Sequence, residues 1–375
     1  MLKVFDDDSA MLARMDIDII IEPDMTPAQV AEIALEAERL GVRAIWASNY
    51  HTNWDPFVSL VPAAMATSKI ILGVLAMSPW EMHPLKMANA LLSLNEMAGG
   101  RAMIAVGGGG ALIGALGWRS GVGKPIWPGR DPVKGTRLPP KRVRGVREAL
   151  EILKIARTGE VCMGYEGGIF DVTRPFIMDW ATHEGPLIYS CSSGPMMIRM
   201  GGQYADGIQL SDYTPDMMPG AIENLEAGFA KRDDKPDDFR VGNFWAFHIK
   251  KDAAASYWEG RRELYVRGGI VGREREQIEK FCVDEAETDL VMENIQSFRQ
   301  AFLMKRGEIK NISEELANRL VDGMASAGDL SALDREIERY KTFADAGLTE
   351  LSLRLHNDPM ESLKIIGEHV IPALR

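Results

Sequence analysis

Cysteine is nearly absent: Cys162, Cys191 and Cys282 are the only three in 375 residues, widely spaced and odd in number. That excludes a disulfide framework and any CxxC metal or redox pair, and it fits a reducing compartment. Basic charge is also in deficit. Lys and Arg total 43 against 54 Asp and Glu, and the formal net charge of −11 argues against a phosphate backbone as the main partner. No stretch of about 18 uninterrupted apolar residues exists, and the first fifteen residues carry three consecutive aspartates in place of an apolar signal core. The expectation is a cytoplasmic protein with neither membrane nor nucleic acid as partner. Familiar catalytic signatures are missing too. The six histidines (His51, His83, His183, His248, His356, His369) are scattered without HExxH spacing, so no metal is expected, and neither a GxSxG elbow nor a Walker loop occurs.

The remaining composition, 46% hydrophobic, 26% charged and 7% aromatic, is that of an ordinary globular chain with a sizeable core. Short apolar runs alternate with helix-period segments, the pattern of βα units. Strands are predicted at Asp16–Ile21, Arg43–Ala47, Ile70–Leu75, Ala102–Val106, Pro186–Ser190, Gly207–Leu210, Arg240–His248 and Glu350–Arg354. Helix starts are marked by Thr26-Pro27, Pro84 and Asp358-Pro359, and Gly41 and Gly347 stand at helix ends. Near-continuous apolar strands such as Ile17 to Ile21 imply a parallel sheet covered on both faces. Eight such units close into a (β/α)8 TIM barrel, whereas a dinucleotide fold would carry GxGxxG where this chain has Glu22-Pro23-Asp24. The whole chain, 1–375, is expected to be one α/β domain. Two excursions stand out: residues 107–140, rich in Gly, Pro, Arg and Trp, read as a lid or binding loop, and residues 253–340 read as a helical insertion before the last strand.

Barrels of this kind work at the C-terminal ends of their strands, so the residues just past each strand are the candidates. After the second strand, Ser48 to Asp55 concentrate polar and aromatic groups; Asn49, Tyr50 and His51 are candidate catalytic residues, while Asp55 fits a cap for the helix beginning at Pro56. The fourth strand runs into Gly107-Gly108-Gly109-Gly110, where missing side chains admit a flat ligand or a phosphate arm, or form a plain turn. Ser192, Ser193, Gly194 and Pro195 precede a helix predicted at Met196–Gln203, whose N-terminus suits an anion or simply needs a cap. Cys191 has no evident His partner and reads as a packed thiol. Met77, Trp80 and Met82 could pack on an aromatic cofactor or fill core; Trp54, Trp80 and Trp118, with Gly110, are candidate walls of a substrate pocket.

An ordered series of motifs also resembles a known family. Leu40 to Ser48 followed by Asp55-Pro56-Phe57-Val58, then Ile71-Leu72-Gly73-Val74, His83-Pro84, Asn95 to Arg101 with the glycines after it, and Ser193-Gly194-Pro195-Met196-Met197 through Ala205-Asp206-Gly207, resemble the luciferase-like monooxygenase superfamily. Leu348 to Pro372 resembles its closing unit. Within it the likeness is to the branch that uses the deazaflavin coenzyme F420, such as methylene-tetrahydromethanopterin reductase and the sugar-phosphate dehydrogenases. The resemblance implies a barrel with an insertion, commonly a homodimer, acting on a small molecule. It implies that Ser193, Gly194, Pro195 and Met196 hold the coenzyme's phosphate side, that Gly107, Gly108 and Gly109 lie along it, and that a non-prolyl cis peptide near Leu75-Ala76 backs the ring. Where relatives have Asp-His, this chain has Asn49-Tyr50, with His51 one place later, and Gly110 stands where the sugar-phosphate dehydrogenases carry Glu. The expectation is F420-dependent hydride transfer. An FMN-dependent monooxygenase and a non-catalytic flavin-binding relative are the alternatives.

Overall fold

Eight short apolar runs pair in parallel and close on themselves in the computed structural model, which describes residues 15–116, 141–233 and 238–375. The barrel strands are β1 (Asp16–Ile21), β2 (Ala44–Ser48), β3 (Ile71–Met77), β4 (Ala102–Gly107), β7 (Leu187–Ser192), β8 (Gly207–Ser211), β9 (Arg240–Ala246) and β10 (Glu350–Arg354), adjacent in that order, with β10 returning to β1. All eight fall where the apolar runs predict them. The remaining strands, β5 (Tyr165–Glu166) and β6 (Asp171–Val172), make a small antiparallel hairpin. Two residues per strand are too few to show a period, which is why the sequence does not announce it.

Helices α1 (Pro27–Leu40), α2 (Pro56–Ala66), α3 (Pro84–Met97), α4 (Gly110–Leu116), α5 (Arg142–Arg157), α6 (Pro195–Tyr204) and α7 (Met218–Phe229) follow the first six barrel strands. Their starts are chemically specified. Thr26 and Gln29 form a reciprocal capping box at α1, and Asp55 accepts from the Val58 N–H at 3.0 Å to open α2. Gly41 ends α1 at φ 82°, a conformation that carries a Cβ penalty in other residues.

Inside the barrel, large side chains face missing ones. Trp46 and Tyr189 meet edge to face at 5.5 Å, both fully buried. A Cβ on Gly73 would stand 2.3 Å from the Trp46 ring, and one on Gly207 would stand 2.6 Å from the Tyr189 ring. The N-terminal mouth is plugged by ions instead: Arg43 bridges buried Asp18 and Glu350 at 2.5 and 2.7 Å, and Arg240 joins Glu350 to Asp16. That end reads as a stabilising base, leaving the opposite mouth for chemistry.

Between β9 and β10 the chain makes a helical excursion: α8 (Ala253–Glu263), α9 (Arg275–Glu279), α10 (Glu285–Glu293), α11 (Ile295–Leu303), α12 (Glu314–Met324) and α13 (Leu333–Asp345). Much of it is held by a core of its own that includes Ile278, Val291, Phe298 and Leu320. After β10 come α14 (Pro359–Ile365), a π-helical stretch (Ile366–Val370) and α15 (Ile371–Ala373). Among the described residues, no helix is long and apolar enough to cross a membrane.

Candidate functional site

At the C-terminal mouth, Glu22 follows β1 and lies between two arginines: Arg267 Nη2 donates to Oε2 at 2.9 Å and Arg354 Nη1 to Oε1 at 3.1 Å. Burial alone would raise this carboxyl, but the two guanidinium charges outweigh it and hold Glu22 below the usual carboxylate range. Arg267 comes from the helical excursion. Its guanidinium also contacts the Tyr50 hydroxyl and lies over the Tyr50 ring, 5.3 Å from the centroid. Beside this group opens a cavity of about 530 Å³ with Glu22, Tyr50, Arg267, Phe302 and His356 in its wall. It lies between the ends of β1, β2 and β10 and the excursion. A pocket there is of the size that takes a small organic molecule.

A second group forms around the end of β3. The Leu75-Ala76 peptide is cis, and the β3–β4 register shifts between Leu75 and Met77. Asn49 Nδ2 donates to the Ala76 carbonyl at 3.2 Å and to Glu81 Oε1 at 2.9 Å, and the Ser78 N–H donates to the same oxygen at 2.5 Å. Burial nevertheless pushes the Glu81 carboxyl up. After β8, burial likewise pushes up Asp212, which accepts from the Ser211 hydroxyl at 2.8 Å. The mouth thus sets an ionised carboxylate, Glu22, against two carboxyls that keep their protons to higher pH, the separation that acid–base chemistry requires.

Glycines bring the backbone of the β4 loop close to its neighbours. A Cβ on Gly107 would lie 3.2 Å from that of Cys191 and 3.5 Å from that of Ala76; one on Gly109, at φ 60°, would lie 2.5 Å from Ser78. A Cβ on Gly108 would meet the Arg142 guanidinium at 3.2 Å and Met197 Cε at 3.6 Å. Among the described residues no carboxylate pairs with Arg142, and burial depresses its basicity. Nearby, α6 begins at Gly194 with no side chain capping it and open space where a Cβ would be. A cation without a counter-ion beside an uncapped helix N-terminus suits an anionic group.

The structure therefore divides the expected residues. Tyr50 lines the cavity; Asn49 instead secures the β3 end; His51 is exposed on the loop. Leu75, Ala76, Gly107, Gly108 and Gly109 lie at the ends of β3 and β4, and Ser192, Ser193, Gly194, Pro195 and Met196 lead into α6. Ser192 is buried and its hydroxyl is 3.0 Å from that of Ser190, whereas Met196 is exposed. Desolvation pushes the Cys191 thiol up to about 12, which suits packing and not nucleophilic attack. Trp80 packs against Phe170 at 5.9 Å and over Gly145 of α5. Trp54 is 47% exposed outside the cavity wall, and Gly110 opens α4. Trp118 and residues 117–140 of the expected lid lie outside the described residues.

Glu22, Glu81, Asp212 and His356 escaped the sequence reading although each stands just past a barrel strand, the signal that singled out Tyr50. Arg142 and Arg267 carried no such signal. Their positions depend on where α5 and the excursion cross the barrel mouth.

Comparisons with known proteins agree with this architecture. The luciferase-like monooxygenase profile matches residues 10–350. The chain is 24% identical over 364 residues to 5,10-methylenetetrahydromethanopterin reductase of Archaeoglobus fulgidus, covering 96% of this chain and 100% of the relative. It is 24% identical over 372 residues to the F420-dependent glucose-6-phosphate dehydrogenase of Microbacterium testaceum, covering 93% and 94%. Among solved structures, the coenzyme F420-dependent tetrahydromethanopterin reductase of Methanopyrus kandleri superposes with a TM-score of 0.75 at 23% identity, covering 97% of this chain and 100% of that one. The FMN-bound oxygenating component of 3,6-diketocamphane monooxygenase from Pseudomonas putida superposes at 0.63 and 18% identity, covering 96% and 98%.

Proposed function

Because the chain belongs to the luciferase-like monooxygenase family, we propose that it is an oxidoreductase that binds coenzyme F420 across the C-terminal barrel mouth and transfers hydride to or from a small organic substrate. The observation that carries this reading is the end-to-end similarity to methylenetetrahydromethanopterin reductases and F420-dependent dehydrogenases. The residues present fit the group. Gly107 and Gly109 leave a bed that a side chain would fill, and Arg142 with the start of α6 offers a place for a phosphate.

F420, when bound, supplies the hydride chemistry. The chain does the rest. Arg142, Gly194 and the first turn of α6 would hold the coenzyme's anionic arm, and Ala76, Gly107 and Cys191 would hold its ring system. The cavity beside Glu22 admits the substrate. Tyr50, held by Arg267, lines that cavity and gives the substrate heteroatom its proton during reduction, or takes it during oxidation. Ionised Glu22 fixes Arg267 and Arg354 in place.

A flavin reading has one specific support, the FMN-bound neighbour of the same fold. Titration of the purified protein with F420 and with FMN, each oxidised and reduced, separates the two. Tight F420 binding with weak FMN binding is the expected outcome; the reverse preference makes oxygen a co-substrate and overturns the hydride reading. A homodimer in the cytoplasm remains part of the proposal, tested by light scattering and by fractionation.

A further inference from the structure

His356 follows β10 and is buried to about 3% side-chain exposure in the cavity wall, yet neither ring nitrogen has a hydrogen-bond partner among the described residues. An imidazole with both nitrogens open beside empty space has unused capacity for one donated and one accepted hydrogen bond. Its nearest carboxylate oxygens, Glu22 Oε1 at 3.9 Å and Glu263 Oε2 at 3.7 Å from Nε2, are beyond hydrogen-bond reach; Glu22 Oε1 accepts from Arg354, and Arg262 holds the Glu263 carboxylate through its other oxygen, Oε1.

The ring is positioned from behind. His248 stacks on it at 5.0 Å between centroids, and His248 Nδ1 donates to Glu259 Oε1 at 2.8 Å. The other Glu259 oxygen accepts the Asn357 N–H at 3.0 Å and lies 3.3 Å from Lys250 Nζ, which donates to the Asn357 carbonyl at 2.7 Å. This clamp fixes the backbone next to His356. Ligand atoms of His248, Glu259 and His356 do lie within 4.8 Å of one another. Both Glu259 oxygens are spent, however, and Lys250, Arg262, Arg267 and Arg354 crowd the same space, so the set repels a cation. Burial, with the charges of His248, Arg267, Arg354 and Arg262, holds His356 well below the ordinary imidazole range.

We propose that His356 is a substrate-contacting residue, a neutral imidazole that hydrogen-bonds the reacting carbon–heteroatom group of an uncharged substrate in the cavity beside Glu22. A substrate without negative charge follows from the charges of the wall: Arg267 is committed to Glu22 and Arg262 to Glu263, while the third lining cation, Lys305, is exposed and shares the wall with Asp24 and Asp358. The proposal rests on the F420 reading. It adds a residue and a substrate class to that reading.

The test compares wild type with H356F and H356N. F420 affinity is measured by fluorescence, and turnover with reduced F420 on acetone, cyclohexanone and methylenetetrahydromethanopterin, and with oxidised F420 on glucose 6-phosphate. F420 binding unchanged in both variants is expected, with acetone or cyclohexanone reduced and the two anions, methylenetetrahydromethanopterin and glucose 6-phosphate, untouched. On the reduced compound, H356F is expected to lose about 30-fold or more in kcat/KM and H356N to recover to within about fivefold of wild type. Wild type and H356N should share one pH profile, because His356 does not ionise in the working range. Turnover of either anion, no turnover of acetone or cyclohexanone, an undiminished H356F, or a profile limb that vanishes in H356N overturns the inference. Wild type failing to bind F420 overturns the underlying reading instead.

Discussion

Single residues at the barrel mouth have roles that their chemistry and neighbours separate. Tyr50 lines the cavity with its hydroxyl on Arg267. Removing that hydroxyl should leave cofactor affinity intact and lower kcat by about 10²-fold, the usual contribution of a positioned acid or base. Steady-state kinetics of Y50F beside its F420 titration checks this, and full turnover would remove Tyr50 from the mechanism. Inside the barrel the informative residue is one without a side chain. Because a Cβ at Gly73 would stand 2.3 Å from the Trp46 ring, G73A must displace a buried indole that also donates to Asp18 at 2.9 Å. Overpacking of this kind costs about 1–3 kcal/mol, read as a shift of the urea midpoint. Neither role was visible equally well beforehand. Tyr50 follows a strand and is polar, so position alone marks it. Gly73 reads as one more residue of an apolar run, and only the register with Trp46 shows what its absent side chain permits.

At the scale of elements, the sequence disclosed what local chemistry controls. Thr26, Asp55 and Gly41 announce helix ends because their caps involve neighbours a few residues away. The β5–β6 hairpin and the contact of Arg267 with Glu22 were invisible, the first for want of length and the second because 245 residues separate the partners. Long separation also conceals the clamp between α8 and the segment after β10. Glu259 serves His248, Lys250 and the Asn357 amide together, so it joins the helical excursion to the cavity floor. E259A leaves buried His248 and Lys250 uncompensated and should cost about 3–5 kcal/mol. Hydrogen exchange should locate the damage, with faster exchange at Asn357 and along α8 while β1 to β4 keep their protection. Uniform acceleration across the barrel would show that the excursion is not held there in particular.

Across the whole molecule, stability against pH sums groups that pull in opposite directions. Glu22, Asp206 and Glu259 are depressed below ordinary carboxylates by their cationic partners, which outweigh burial; their stabilisation is complete above the unfolded carboxylate range and is lost as pH falls through their folded values. Burial raises Glu336 and Glu350, so their contribution is greatest at low pH and is lost as pH rises through their folded values. His356 adds a separate contribution. Its folded value lies well below 6.5, through burial and the charges of His248, Arg267, Arg354 and Arg262. Below about pH 6.5 the unfolded chain therefore binds a proton that the native state refuses, and stability must fall as pH is lowered. One proton corresponds to a slope of about 1.4 kcal/mol per pH unit. The carboxylates overlap this window in wild type, but they are common to wild type and H356N. The difference in unfolding free energy between the two proteins, measured by urea denaturation from pH 8 to pH 5, should thus be flat above about pH 7 and change with that slope below about 6.5, with H356N gaining relative to wild type. A difference that stays flat to pH 5 would mean that His356 takes up its proton in the folded protein, and the neutral imidazole facing the cavity would be lost with it.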